Sequence, residues 1–167
     1  EVFSTPPQHP VVSVLVQTYQ HKEFIRECLD NILMQETTFD FEILLGEDGS
    51  EDGTREICLE YAKKYPDKIR LFLHHPENKI RVLNNLTGNF NALYNFFSAK
   101  GKYITFCEGD DYWNDPLKLK KQVTFLETNH EYGFAYHDFI IINEKGERIE
   151  SDEVINQPSW DISNEEL

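Results

Sequence analysis

Two short acidic stretches contain the residues of this sequence that could do chemistry. The first, GEDGSEDGT, runs from Gly46 to Thr54, and the second, EGDDYW, runs from Glu108 to Trp113. Carboxylates in such clusters can bind a divalent cation, accept hydrogen bonds from a ligand or take up a proton. Because clustered carboxylates repel one another, they are stable together when a cation or a hydrogen-bond donor lies among them. Each stretch is therefore a candidate binding site.

The first stretch has three possible chemical interpretations. As a calcium loop that starts at Asp48, it has Leu59 where the bidentate glutamate is needed, and it follows an apolar run that indicates a strand. As a phosphotransferase motif of the DxDGT type, it has Ser50 in place of the nucleophilic aspartate. A carboxylate at Asp48 that faces a nucleotide base is the third interpretation. A turn followed by a helix N-terminus accounts for residues 50–52 without any ligand.

Composition limits the classes of ligand and compartment. The 167 residues have a formal net charge of −14, a sequence pI of about 4.7 and 40% hydrophobic residues. This argues against a nucleic-acid-binding protein, which needs a basic face, and a phosphate ligand would need a cation to offset the acids. Cys28, Cys58 and Cys107 lie in apolar patterns and indicate reduced core thiols. We expect a cytoplasmic protein, which could act at the inner face of the membrane as part of a longer chain; no apolar run reaches the ~20 residues of a membrane span.

Alternating strand and helix patterns place both acidic stretches at strand ends. Strands are predicted over residues 11–17, 41–45, 69–73, 103–107 and 133–143. The βαβα order predicts an α/β fold, with a Rossmann-like, mostly parallel sheet and helices on both faces. The third helix has Phe90, Leu93, Tyr94 and Phe97 at helical spacing. Ligands of such sheets bind outside the carboxyl ends of the strands, so we expect the acidic stretches to meet there.

Other ligand-binding motifs are absent from the sequence. The turn after the first strand, QTYQHKE, has no glycine, and no GxxxxGK[ST] pattern occurs. A nucleotide at this edge would point its phosphates at EGDD, so a hard cation, Mg²⁺ or Mn²⁺, would have to lie between them. His74 and His75 are adjacent on an extended segment and point opposite ways, so we interpret them as loop histidines rather than metal ligands.

Three blocks of the sequence resemble, in order and spacing, the N-terminal half of the family 2 glycosyltransferases of the GT-A fold. They are VSVLVQTYQHKEFIRECLDNILMQ, FEILLGEDGSEDGT and GKYITFCEGDDYW, and the continuation NDPLKLKKQVTFLE resembles bacterial members. The match covers roughly residues 10–129. The resemblance implies metal-dependent, inverting transfer of a sugar from a nucleotide-sugar, expected to be a UDP-sugar, to a hydroxyl of a carbohydrate or other acceptor. Polysaccharide biosynthesis is the process that it suggests.

The resemblance also assigns roles on the donor side. Thr18 and Tyr19 match a TY pair that lies against the nucleoside base. Asp48 matches the carboxylate that faces the edge of the uracil ring, which favours the third interpretation of the first stretch. Asn91 matches an asparagine in the helix before the fourth strand. We therefore expect these four residues to bind the nucleotide-sugar.

The second acidic stretch matches the metal-binding motif of DxD type. By the resemblance, Glu108 and Asp110 belong to the nucleotide-sugar site, Asp110 lies near the ribose and the metal, and Asp111 holds the metal against the diphosphate. The sequence departs from the family pattern at Gln17, where proline is usual, at Glu47, where a second aspartate is usual, and at Glu108. The two acidic departures keep the charge, so metal binding is still expected, but they leave the choice of donor open.

Domain organisation and completeness are further expectations. We expect a lead-in over residues 1–10, a nucleotide-sugar-binding GT-A domain over 11–145, and over 146–167 the start of a truncated acceptor-side region. The general base is expected beyond Leu167, so these residues alone would be weakly active or inactive; Asp138 is the one inner-strand acid after the cluster. Two other classes stay open, a non-catalytic module that binds a cation or nucleotide and a nucleotide-dependent transferase of phosphoryl groups. A homo-oligomer is compatible with each.

Overall fold

The computed structural model describes residues 2–83, 85–143 and 146–149. Its central parallel strands are β1 (Val12–Thr18), β2 (Phe41–Glu47), β3 (Ile69–Leu73) and β6 (Tyr103–Phe106). They form one four-stranded sheet in the order β3–β2–β1–β6. Two antiparallel pairs accompany it, β4 (Ile80–Val82) with β5 (Asn85–Thr87) and β7 (Ile141–Ile142) with β8 (Arg148–Ile149). The sheet is therefore mostly parallel, as predicted.

The middle strands of the sheet form because their sequences are apolar on both sides. Every residue of β1 and of β2 is buried, which is the pattern of a parallel strand covered on both faces. Their register pairs Val14 with Ile43, and Ile43 with Ile69 of β3. Because β1 and β2 pair along their whole length, their carboxyl ends lie side by side.

The helices are α1 (Ile25–Leu33), α2 (Thr54–Lys64), α3 (Asn89–Ser98) and α4 (Lys118–Thr128). With the right-handed crossovers that are general for parallel strands, this strand order puts α1 and α2 on one face of the sheet and α3 on the other. Arg26 and Glu60 join α1 to α2 through a 2.7 Å ion pair, and Tyr61 donates to Asp30 at 2.8 Å. The prediction of an α/β fold with helices on both faces is confirmed.

Helix α3 faces the sheet with asparagines as well as with aromatic rings. Asn91 and Asn95 are 1% and 0% exposed, whereas Leu93 and Phe97 are exposed. The Asn91 amide donates to the Gly46 carbonyl at 2.7 Å, and the Asn95 amide donates to two further strand carbonyls. A Cβ at Gly46 would lie 1.7 Å from Asn91 Oδ1. Glycine at this position therefore allows the helix to approach the end of β2.

A buried ionic cluster fastens the connection between α3 and β6 to the sheet. Glu42 is fully buried, accepts from Ser13 Oγ at 2.6 Å and from Arg70 Nη1 at 3.2 Å, and also accepts from the Lys100 backbone N–H at 2.8 Å. Since each carboxylate oxygen has a donor, the charge is compensated inside the protein. The cluster lies within the sheet and contributes to stability rather than to a ligand site.

The chain divides into two units, Glu1–Lys120 and Lys121–Leu167, and the first contains the sheet and every candidate site residue. In the second, the strand predicted over 133–143 is wrong except at Ile141–Ile142, whose partner is a short strand rather than the central sheet. Asp138 is exposed. Most of the predicted acceptor-side region lies outside the described residues. Within the part that is described, no helix has the length and apolar character to cross a membrane.

Candidate functional site

Three loops converge at the carboxyl edge of the sheet, where β1 lies between its two neighbours. The loop after β2 is joined to β1 by the Asp48 backbone N–H, which donates to the Thr18 carbonyl at 3.0 Å. The loop after β6 is joined by the Gly109 N–H, which donates to the Gln17 carbonyl at 2.9 Å. The end of β1 therefore holds both acidic stretches, and the expectation that they meet at this edge is confirmed.

Residues in the second half of GEDGSEDGT hydrogen-bond to backbone groups of the loops. Asp52 Oδ1 accepts from the Thr54 N–H at 3.0 Å at the start of α2, and Oδ2 accepts from the Lys22 N–H at 3.1 Å. Ser50 Oγ accepts from the Gln20 N–H at 2.9 Å. Desolvation would raise the pKa of Asp52, but the hydrogen bonds from Thr54 and Lys22 outweigh it and lower the pKa. These contacts confirm the turn and helix start, and they clamp the loop after β1.

Glu47 is a structural carboxylate that orders the turn after β2. It is fully buried, its Oε2 accepts from Arg55 Nε, and its Oε1 accepts from the Ser50 N–H. Arg55 also donates to the His74 carbonyl at 3.0 Å, so one guanidinium joins the ends of β2 and β3. With both Glu47 oxygens occupied, the adjacent Asp48 is the carboxylate of this pair that remains for a ligand.

Asp48 is buried and incompletely satisfied. Its side chain is 5% exposed, Oδ1 has no hydrogen-bond partner in the protein, and Oδ2 lies 3.6 Å from Lys79 Nζ. The same ammonium lies 3.3 Å from the centroid of the Tyr19 ring, which is 44% exposed. Desolvation raises the pKa of Asp48, and the charges of Lys79 and His74 oppose that rise. A donor on a bound ligand would supply the partner that Oδ1 lacks.

Other buried polar atoms without a hydrogen-bond partner in the protein belong to residues at the end of β1 and in the loop that follows it, among the residues that the structure describes. They are both side-chain polar atoms of Gln17, Thr18 Oγ1 and His21 Nδ1. His74 was interpreted as a loop histidine, but it is 6% exposed and packs edge-on against Phe90 and Tyr94. Buried polar groups are normally hydrogen-bonded, so this concentration at one edge indicates a polar ligand or ordered water.

The loop after β6 presents exposed carboxylates. Glu108, Asp110 and Asp111 are all exposed, and His21 Nε2 lies 3.7 Å from Asp110 Oδ2. Partial desolvation, and then the charges of neighbouring acids, raise the pKa of Glu108 and of Asp111. Within the described ranges no group of three or more His, Cys, Asp or Glu is placed to hold a metal ion. The hard oxygen donors fit Mg²⁺ or Mn²⁺, provided that a bound ligand or water completes the coordination.

Buried side chains pack at the start and at the end of this acidic loop. Cys28 Sγ lies 3.9 Å from Cys107 Sγ and donates to the Glu108 carbonyl at 3.4 Å. The three cysteines are free and buried, as the sequence predicts for core thiols. Trp113 is 6% exposed, and Lys118 Nζ lies 4.0 Å from its ring. Burial lowers the pKa of Lys118 to about 8. The loop is thus anchored at both ends, which keeps its carboxylates at the sheet edge.

A family model describes most of this sequence. The model named Glycosyl transferase family 2 matches residues 13–164. The chain belongs to glycosyl transferase family 2. Among curated relatives, the Mycobacterium tuberculosis (strain ATCC 25618 / H37Rv) protein Rv1520, itself uncharacterised, is 38% identical over 135 residues, which are 81% of this chain and 37% of the relative. The Bacillus subtilis (strain 168) glycosyltransferase EpsJ, also uncharacterised, is 37% identical over 105 residues, or 62% of this chain and 27% of EpsJ. The family 2 chain thus spans less than half the length of these relatives.

Solved structures share the fold of this family 2 chain. TarS 1-349 of S. aureus, in a complex with UDP-GlcNAc, has a TM-score of 0.58 at 24% identity, over 71% of this chain and 32% of that one. The mannosyltransferase PcManGT of Pyrobaculum calidifontis, in a complex with GDP-Man and Mn²⁺, has a TM-score of 0.57 at 24% identity, again over 71% and 32%. These likenesses confirm the predicted GT-A fold.

The family 2 fold places most of the predicted residues at one edge. Thr18, Tyr19 and Asp48 lie at the ends of β1 and β2, and the predicted acids lie on the loop after β6. Asn91 lies behind the end of β2, with its amide engaged by the sheet. Sequence reasoning missed Lys79, because it lies six residues beyond β3 and its contacts with Tyr19 and Asp48 are entirely tertiary. The roles of all these residues stay predictions.

Proposed function

We propose that this chain binds a nucleotide-sugar at the carboxyl edge of its sheet and belongs to an enzyme that transfers the sugar to an acceptor hydroxyl. The observation that carries the proposal is the buried Oδ1 of Asp48, which lacks a partner beside the exposed Tyr19 ring. Family membership supports glycosyl transfer as the reaction. The UDP-GlcNAc and GDP-Man complexes of the two structural neighbours support a nucleotide-sugar as the donor.

UDP is the nucleotide that we propose. Tyr19 offers an aromatic face, and uracil can stack on such a face. Uracil has one ring N–H between two carbonyl groups, and the N–H would donate to Asp48 Oδ1. Thr18 Oγ1, which is buried and unpartnered, can accept from or donate to the nucleoside. Binding of UDP would therefore remove two of the unsatisfied polar atoms at this edge.

Asp110 and Asp111 are the residues that would hold Mg²⁺ or Mn²⁺. Such a cation supplies charge neutralisation for the diphosphate that leaves with the nucleoside. The need is electrostatic, because a diphosphate would otherwise meet three carboxylates in a protein of net charge −14. His21, in the loop after β1, has its Nε2 3.7 Å from Asp110 Oδ2. The complex of PcManGT with Mn²⁺ supports a divalent cation as the cofactor.

The reaction that we propose is a single displacement with inversion. The acceptor oxygen forms a bond to C1 of the sugar while the bond from C1 to the diphosphate oxygen breaks. The electron pair of that bond leaves with the nucleoside diphosphate, and a carboxylate takes the acceptor proton. Among the residues that the structure describes we assign no such base. A carbohydrate acceptor and a cytoplasmic location belong to the same proposal.

The test is an analysis of the reaction products formed by the full-length protein. UDP-sugars with defined α-linkages are incubated with Mn²⁺ and a panel of hydroxyl acceptors, and products are resolved by mass spectrometry and NMR. We expect UDP as one product and a β-linked glycoside as the other, with no product when Mn²⁺ is chelated. An α-linked glycoside would contradict inversion. Transfer of a phosphoryl or nucleotidyl group instead of a sugar would contradict glycosyl transfer itself.

A further inference from the structure

Lys79 has an unusual position beside the residues proposed to bind the nucleoside. Its ammonium lies 3.3 Å from the Tyr19 ring centroid and 3.6 Å from Asp48 Oδ2, and its side chain is 11% exposed. An ammonium at this distance is in van der Waals contact with the ring face. It therefore occupies the part of the Tyr19 face on which a base would stack, between the ring and the buried carboxylate.

The fold holds Lys79 in this position through the turn that precedes it. Pro76–Asn78 form a short 3₁₀ helix, and the His75 side chain accepts from the Glu77 N–H at 3.3 Å at its start. Pro76 packs on Gly49: a Cβ at Gly49, which has φ of +81°, would lie 2.9 Å from Pro76 Cγ. The glycine that follows Asp48 thus admits the turn that brings Lys79 to the site. The contact is built in rather than a chance approach of a surface lysine.

A carboxylate and an ammonium side by side form a complementary pair for one type of base edge. Uracil and guanine present a ring N–H donor next to a keto oxygen acceptor, whereas cytosine and adenine present a ring nitrogen acceptor next to an amino donor. Asp48 can only accept while ionised, and Lys79 can only donate. With Asp48 facing the ring nitrogen and Lys79 facing the adjacent exocyclic atom, the pair matches the first two bases and opposes the last two at both atoms.

We propose that Lys79 is a specificity-determining residue, which donates to the keto oxygen of the base while Asp48 accepts from the adjacent ring N–H. The proposal rests on the nucleotide-sugar function proposed above and narrows it to uridine or guanosine donors. When the base enters, the flexible four-carbon stem of Lys79 lets the ammonium move from the Tyr19 face to the base edge. The ammonium stays near Asp48 throughout, so the buried carboxylate keeps a counter-charge in both states.

The experiment is calorimetry of UDP, GDP, CDP and ADP with the Mn²⁺-loaded protein, its Lys79→Met variant and a control. UDP and CDP have the same ribose and diphosphate, so the ratio of their affinities isolates the base. The control is Lys64→Met, which removes the same charge from an exposed lysine 5.0 Å from the Tyr65 ring at the far end of α2. We expect unmodified protein to prefer UDP to CDP by tenfold or more, roughly the effect of leaving a buried hydrogen-bonding group unpaired.

Lys79→Met should lower UDP affinity by roughly 10- to 100-fold, the range for a hydrogen bond to a charged group, and change CDP affinity far less. Lys64→Met should keep the preference, and Lys79→Arg, which retains a donor, should keep most of it. The inference would be overturned if Lys79→Met lost equal affinity for UDP and for CDP, or if the unmodified protein did not prefer UDP to CDP. Either result would leave the proposed function intact. Absence of binding by all four nucleotides would overturn both.

Discussion

At the scale of single residues, adjacent carboxylates have opposite roles because of their partners. Glu47 is fully satisfied by Arg55 and Ser50, whereas Asp48 Oδ1 has no hydrogen-bond partner in the protein. We expect Asp48→Ala to weaken UDP binding by about 1–3 kcal/mol, since it removes a buried acceptor. Isothermal titration calorimetry measures the change, and Glu51→Ala is the control, because it removes an exposed acid three residues further on. Unchanged affinity in Asp48→Ala would exclude the base-reading role.

Asp111 illustrates how neighbouring charges prepare a residue for a cation. Its pKa is raised by desolvation and by Asp110, so the ionised form gains from a positive ion. We expect Asp111→Asn to abolish the Mn²⁺ enhancement of UDP binding and to leave the melting temperature nearly unchanged. The control Asp67→Asn, at an exposed position before β3, should retain the enhancement. A full Mn²⁺ effect in Asp111→Asn would refute its role as a metal ligand.

Burial of Lys118 should make the free energy of unfolding depend on pH. Its pKa is lowered to about 8 in the folded protein, against about 10.4 for an unfolded lysine. Between pH 8 and 10 the unfolded chain therefore holds a proton that the folded chain has released, and the free energy of unfolding rises with pH. Urea denaturation should show unmodified protein gaining roughly 1–3 kcal/mol relative to Lys118→Met across this range. Parallel pH profiles for the two proteins would contradict the lowered pKa of Lys118 in the folded protein.

At the scale of elements, Asp52 joins the start of α2 to the loop after β1. Because it accepts from the Thr54 N–H at the start of the helix and from the Lys22 N–H, we expect Asp52→Ala to lower the free energy of unfolding by about 1 kcal/mol, the typical net contribution of a hydrogen bond. Nucleotide affinity should fall as well, since the loop that contains Tyr19 loses a clamp. Chemical denaturation and calorimetry measure the two effects. The exposed Glu51→Ala should stay within about 0.5 kcal/mol of the unmodified protein, and equal behaviour of both variants would remove Asp52 from this role.

The sequence predicted the central elements well because their patterns are local. The strand predicted over 69–73 has those bounds in the structure, and the end of β6 differs by one residue from the prediction. The strand over 133–143 was wrong, because an apolar run becomes a long strand only where a neighbour pairs with it. The hairpin of β4 and β5 was missed, since its strands have only three residues each. Periodicity therefore identifies buried elements better than short exposed ones.

The candidate site was predictable where it depended on strand ends and unpredictable where it depended on distant contacts. Asp48 and the acidic loop follow strands directly, so topology alone brought them together. Arg55 and Lys79 reach the site through side chains from other elements, and no spacing in the sequence marks them. His74 is a loop residue as predicted, but its burial could not be predicted because its neighbours Phe90 and Tyr94 come from α3. Such partners become visible only in three dimensions.

At the scale of the whole molecule, the net charge of −14 sets the conditions for its ligand. A nucleoside diphosphate adds further negative charge at an edge that already has Asp48 and three acids of the β6 loop. Under the proposed function, Lys79 beside Asp48 and a divalent cation at the exposed acids, whose oxygen donors suit Mg²⁺ or Mn²⁺, would offset this repulsion. The proposed site would then have a base end with Lys79 as its own cation and a diphosphate end that needs a metal ion.

The most direct test of this account is calorimetry of UDP with the unmodified protein, in Mn²⁺ and in EDTA at equal ionic strength. We expect binding in Mn²⁺ to be at least roughly tenfold tighter than in EDTA, because the cation would relieve repulsion between the diphosphate and the acidic loop. The same affinity in both buffers would contradict the cation-bridged site. No binding in either buffer would contradict a nucleotide site at this edge of the sheet.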